Sequence, residues 1–243
     1  MIETPNPDGL ECKAMKMNIN DNSHQVVKPL SKGNFFAIFN SKPRGGKTTL
    51  FLNFIKKKPF YYKKFHKIYI FSNSLHTIKE KISLPSNQII DGFNIEDLDK
   101  IIIDEESEAE KDEQSGQDKS KILFIFDDVV SSITKNLVPF LHLVYNRRHL
   151  GGGASIIITS QKFNKIPLEI RTVADQIYFF PTKNKQEIEA LYSEYITLPR
   201  NNFNQILDYC FDNPHNFLLL NLNEPNDEMY YKNFNKLNFR NPN

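Results

Sequence analysis

Uninterrupted apolar runs recur along this chain at Phe35–Phe39, Ile68–Phe71, Ile122–Phe126 and Ile156–Ile158. A run without polar alternation is what a strand buried on both faces requires, as in a parallel sheet covered by helices. Strands are therefore predicted over 35–40, 67–72, 121–126 and 154–161, with shorter ones at 88–91, 175–180 and 216–223. Residues 228–231 are expected to pair beside the last. Helical spacing fills the intervals at 47–57, 77–82, 95–103, 136–150, 167–173, 184–195 and 202–211. In the segment 136–150, for example, Leu137, Phe140, Leu141 and Val144 make one apolar stripe. This alternation predicts an α/β fold, a three-layer sandwich with a mainly parallel central sheet. Residues 31–225 are expected to form one domain. Residues 1–30 show no period and read as a partly ordered arm, with Val26 and Val27 a possible edge strand. Residues 226–243 read as a polar tail.

Charge changes this picture in one place. Asp104 to Asp118 holds eight acids and one lysine, a net of −7, which leaves +9 for the rest of a chain whose total is +2. Residues 104–119 are expected to be a solvated surface insertion and not a metal site. A basic body is compatible with a nucleic-acid partner. The abundance of Asn, Lys, Ile and Phe, typical of an AT-biased genome, explains the lysines equally well. At 243 residues, 40% hydrophobic and 25% charged, the chain can bury one sizeable core. No apolar run approaches the ~18 residues of a membrane span, and the polar N-terminus lacks the apolar centre of a signal peptide. Cys12 and Cys210 are far apart in sequence and belong to no C-x-x-C, so a reducing compartment without disulfide or zinc is the natural reading.

The most informative polar stretch follows the first apolar run: Ser41, Lys42, Pro43, Arg44, Gly45, Gly46, Lys47, Thr48 and Thr49. Gly46, Lys47 and Thr48 match the end of the phosphate-binding pattern G-x-x-x-x-G-K-[ST], in the strand–loop–helix context that the pattern requires. Ser41 stands where the first glycine is expected, so an altered loop entrance is anticipated. A triphosphate needs many donors at short range, and loop amides together with a helix N-terminus supply them. Lys47 would reach the β- and γ-phosphates, and the Thr48 hydroxyl would bind Mg²⁺ beside ATP.

Two acids, Asp127 and Asp128, terminate the apolar run 122–126. Carboxylates at the carboxyl end of a parallel strand face the ligand crevice, and this is the Walker B pattern. Asp127 is assigned to Mg²⁺ and Asp128 to polarising the attacking water, a position more often held by Glu. Gln161, ending the strand 154–161 with Thr159 and Ser160, is the candidate γ-phosphate sensor. Arg147 and Arg148 precede Gly151–Gly153, where a plain helix stop would look the same. Arg171 lies on the short helix over 167–173. Lys162 and Lys165 are candidate DNA contacts.

These segments together resemble the FtsK–HerA branch of P-loop ATPases, and more narrowly the genome-packaging ATPases of poxviruses, other large DNA viruses and virophages. The resemblance is carried by Ser41–Thr48, Phe124–Asp128, Asn146–Ile156 and Ile158–Gln161, with Arg171 as a further point of likeness; it covers about residues 34–180. It implies a ring-forming motor, a pentamer or hexamer, that uses ATP hydrolysis to move double-stranded DNA into a preformed capsid. It also implies capsid portal or vertex proteins as partners, in a viral factory of the host cytoplasm. An arginine acting across the subunit boundary is implied as well: Arg148 first, then Arg147, with Arg171 as a third candidate. A non-catalytic nucleotide-binding assembly module and a nucleoside or small-molecule kinase are the alternatives; no arginine-rich lid supports the kinase.

Overall fold

The computed structural model describes residues 2–4, 26–75 and 82–238. Most of the expected arm, and nearly all of the helix predicted over 77–82, lie outside them. Ten strands form one sheet: β1 Ile2–Thr4, β2 Phe36–Asn40, β3 Lys67–Ser72, β4 Ile89–Asp91, β5 Ile122–Asp127, β6 Ala154–Ser160, β7 Gln176–Phe179, β8 Leu218–Asn221, β9 Tyr230–Lys232 and β10 Asn235–Asn238. Their spatial order is β1-β10-β9-β8-β7-β2-β6-β5-β3-β4. From β7 to β4 every pairing is parallel, and β8, β9, β10 and β1 extend the sheet antiparallel.

Period-two alternation divides each central strand between two cores. Phe36 and Ile38 of β2, with Phe124 and Phe126 of β5, face one side. Phe35, Ala37, Phe39, Leu123 and Ile125 face the other. Helix α1 (Lys47–Lys56) covers the second face with Leu50, Phe51 and Phe54, joined by Phe60 and Tyr61. The first face is covered by α2 (Ile95–Ser115), α3 (Val130–Lys135), α4 (Leu137–Asn146), α5 (Leu168–Arg171), α6 (Lys185–Tyr195) and α7 (Arg200–Cys210). The result is the three-layer α/β sandwich anticipated, with the parallel strands at its centre. Among the described residues no helix is long and apolar enough to cross a membrane.

Two expectations are corrected. The acidic stretch is not a loose insertion: most of it lies in α2, 21 residues long. Asn94 caps the start by accepting from the Asp97 amide, and Gly116, at φ 70°, closes the end. Its inner face carries Leu98, Glu105 and Ala109. Buried Glu105 binds Lys67 at 2.8 Å and accepts from the Tyr69 hydroxyl, so an acid pins α2 to β3. Residues 228–231 do pair beside β8, as β9, and the tail expected from 226 is corrected as far as residue 238, since Asn235–Asn238 is a sheet strand as well, with Tyr230 and Leu237 in the core.

Candidate active site

Strand β6 lies between β2 and β5. The carboxyl ends of these three strands therefore bring together the loop after β2, the acids ending β5 and the amide after β6. Within the loop Arg44 (φ 62°) and Gly46 (φ 115°) adopt left-handed backbone, and Gly46 is the residue that opens α1. Ser41 does not need that conformation. It is buried, its amide donates to the Ser160 carbonyl at 3.0 Å, and its hydroxyl donates to the Lys42 carbonyl at 3.1 Å. The glycine requirement falls instead on Gly45, where a Cβ would stand 1.7 Å from the Ser41 hydroxyl oxygen.

Lys47 is 6% exposed. Its ammonium donates to the Ser41 carbonyl at 2.8 Å and lies 3.4 Å from Asp128 Oδ1. Asp128 has φ 54°, a left-handed conformation that a non-glycine residue adopts at a cost. It is held there by its own amide donating to Thr159 Oγ1 at 3.1 Å and by Asn73 donating to its carbonyl at 3.3 Å. Gln161 Nε2 donates to Asp128 Oδ2 at 3.1 Å. The lysine, the acid and the amide thus converge from three separate strand ends.

Asp127 is nearly inaccessible, and register places it between Ser72 of β3 and Thr159 of β6. Thr159 donates to Oδ1 at 2.7 Å and Ser72 to Oδ2 at 3.0 Å. Burial pushes the Asp127 carboxyl above its ordinary value; the Thr159 bond opposes this, the Asp128 charge adds to it, and Ser72 and Lys47 pull it back down. Among the described residues no cluster of three or more His, Cys, Asp and Glu could hold a metal alone. Mg²⁺ at a nucleotide site is bound through one or two protein oxygens and the phosphates of the nucleotide. Asp127 and the half-buried Thr48 are the oxygens that fit.

The arginines separate. Arg147 is buried, donating to the Asn34 carbonyl at 3.1 Å, the Val144 carbonyl at 2.8 Å and Asp175 Oδ2 at 3.0 Å. That carboxylate also accepts from the Phe36 amide at 2.7 Å. Arg147 therefore ties the turn after α4 to the starts of β2 and β7, with Nε, Nη1 and Nη2 each engaged inside the subunit. Arg171 is also turned inward, 2.8 Å from Glu194 and 5.1 Å from the Phe163 ring centre. Arg148 is exposed and makes no ion pair among the described residues. It lines a cleft of about 480 Å³ with Lys28, Lys32, Asn34, Asp175 and Glu224, at the sheet edge opposite the phosphate loop. Lys162 and Lys165 are exposed beside Gln161.

Ser72 and Asn73 were not singled out by sequence. The available signal was that the strand 67–72, like 154–161, ends in hydroxyl and amide side chains at the same edge. Nothing in the sequence pointed to His215, whose ring reaches the loop at Gly45.

The sequence profile of the poxvirus A32 protein family matches residues 23–208. No curated protein sequence matches the chain. Among solved structures, the genome packaging NTPase B204 of Sulfolobus turreted icosahedral virus 2, in complex with sulfate, superposes with a TM-score of 0.57 at 14% identity over 79% of this chain and 94% of that one. The same protein with ATP-γS gives 0.54 at 14%, over 78% and 93%. The DNA-packaging ATPase B204 of Sulfolobus turreted icosahedral virus gives 0.54 at 15%, over 86% and 99%. These structures share the fold, and the profile covers well over half of the sequence. The chain shares its fold with these packaging enzymes and belongs to the poxvirus A32 protein family.

Proposed function

We propose that this protein hydrolyses ATP to drive double-stranded DNA into a viral capsid, as a homo-oligomeric ring. The observation that carries the reading is the meeting of Lys47, Asp128 and Gln161 beside buried Asp127, at the edge where α1 presents its free amides. Membership of a poxvirus family, and a fold shared with viral proteins described as packaging enzymes, support the genome as cargo.

In this mechanism the loop amides and the α1 N-terminus bind the β- and γ-phosphates. Lys47 leaves its ion pair with Asp128 for the phosphate oxygens, and Asp128 becomes free to orient a water and take its proton. Gln161, already bonded to Asp128, couples that carboxylate to the segment carrying Lys162 and Lys165, which contact DNA. Mg²⁺, held by Thr48 and Asp127, would neutralise charge developing on the phosphates. Arg148 supplies positive charge to the nucleotide of the adjoining subunit from the opposite sheet edge.

The test is ATP turnover with and without duplex DNA, on protein whose oligomeric state is weighed in the same buffer. Turnover by a ring, raised by duplex DNA and abolished by Lys47→Ala, is expected. Hydrolysis indifferent to DNA but raised by nucleosides would replace this reading with a kinase. Nucleotide binding without turnover in every oligomeric state would make the chain a passive module.

A further inference from the structure

The antiparallel half of the sheet returns a loop to the edge where the phosphate loop lies. Strand β8 runs against β7 with Leu218 opposite Phe179, so the residues just before β8 sit beside the end of β7. There His215 Nδ1 lies 3.4 Å from the Gly45 carbonyl oxygen. A Cβ on Gly46 would stand 3.3 Å from the Phe180 ring and 3.8 Å from His215 Nδ1. The imidazole is exposed, yet its loop is fixed. The His215 amide donates to Asn213 Oδ1 at 3.0 Å, Asn233 bridges to Asn216 at 3.0 Å, and Lys232 pairs with Asp212 at 2.8 Å. Phe180 is buried against Phe217, ring centres 5.1 Å apart, and forms a rigid wall beside the loop.

Position decides what this ring can touch. Asp128 and Gln161 lie on the β5–β6 side of β2, and His215 lies on the β7–β8 side. Lys47 serves the β- and γ-phosphates, so a triphosphate whose terminal phosphate faces Asp128 extends its nucleoside toward β7 and β8. With the proton on Nδ1 and donated to the Gly45 carbonyl, the imidazole is held in orientation while one face and Nε2 stay open.

We propose that His215 is the nucleoside contact of this site, a ring that packs against the base and sets affinity for a nucleotide over bare polyphosphate. The proposal rests on the nucleotide reading of the phosphate loop. It is tested by calorimetric titration of the full chain with ATP and, separately, with inorganic tripolyphosphate. His215→Ala should weaken ATP binding about tenfold, within the range that base–aromatic stacking supplies, and leave tripolyphosphate binding unchanged. His215→Phe should restore most of the ATP affinity. Equal loss for both ligands in His215→Ala would make the residue a support of the loop and overturn the proposal, as would unchanged ATP affinity. Lys47→Ala should weaken both ligands. Wild-type protein that binds neither would overturn the nucleotide reading itself, and this contact with it.

Discussion

Replacing Arg147 and Arg148 one at a time tests whether two adjacent arginines do unrelated work. Arg147→Ala removes three hydrogen bonds and leaves Asp175 Oδ2 with the Phe36 amide as its remaining partner. The two paired side chains are 8% and 16% exposed, so water replaces the lost guanidinium poorly. Removing one partner of a buried pair costs about 3–5 kcal/mol, and the residual exposure of Asp175 argues for about 3 kcal/mol. In a chain of this size that lowers Tm by roughly 6–12 °C. Arg148→Ala should change stability by less than about 0.5 kcal/mol, as for other exposed positions, while lowering turnover about 10³-fold if its charge acts on a neighbour's nucleotide. Thermal and urea denaturation measure the first effect, and a double-mutant cycle with Asp175→Asn isolates the pair. Mixing Arg148→Ala subunits with Asp128→Asn subunits measures the second, because only mixed interfaces contain one intact site. An Arg147→Ala protein that melts within about 2 °C of wild type and behaves like a finger mutant in such mixtures would refute the assignment.

Asp127→Asn should abolish turnover yet stabilise the ligand-free protein at neutral pH. The folded state raises this carboxyl, so its contribution to stability is complete below the ordinary carboxylate range and is lost as pH rises through the raised value. Removing the charge should raise Tm at pH 7, and the difference from wild type should vanish in acid; a variant that melts lower at pH 7 contradicts this. Gly45→Ala should lose nucleotide affinity through collision with the Ser41 hydroxyl, and Ser41→Gly in the same chain should recover most of it, read by calorimetric titration. Glu105→Ala leaves the Tyr69 hydroxyl without this acceptor and Lys67 with Glu108 alone, and should cost about 1–3 kcal/mol in urea denaturation; an unchanged midpoint would mean that α2 is held by its apolar contacts and the Lys67–Glu108 pair.

The central strands were legible because their burial on both faces leaves uninterrupted apolar runs, and the strand–loop–helix around residues 41–49 because glycines and a helix start mark it in consecutive residues. Helix α2 beyond Ile103 was missed because charge was weighed over helix formation: Glu, Lys and Ala favour helix, and Asn94 and Gly116 mark its ends. Glu105 hid the inner face by standing where an apolar residue is expected. Strand β9 was legible at 228–231 beside β8, whereas β10 is short, partly polar and pairs with β9 and β1, and local pattern does not encode such a pairing. Arg147 was unreadable for a different reason. Its partners, Asn34 and Asp175, are distant in sequence, and only folding makes a basic helix end into an internal tie.

Asp127 is gripped by hydroxyls from the strands on either side, so it behaves as a fixed anvil. The ring motor proposed above needs something that travels, and that carboxylate has nowhere to go without prising three strands apart. Displacement has to arise farther out, where Gln161 grasps Asp128 by one solvent-facing bond and the basic segment begins. On that proposal the boundary between machine frame and moving arm falls between two consecutive residues, 127 and 128.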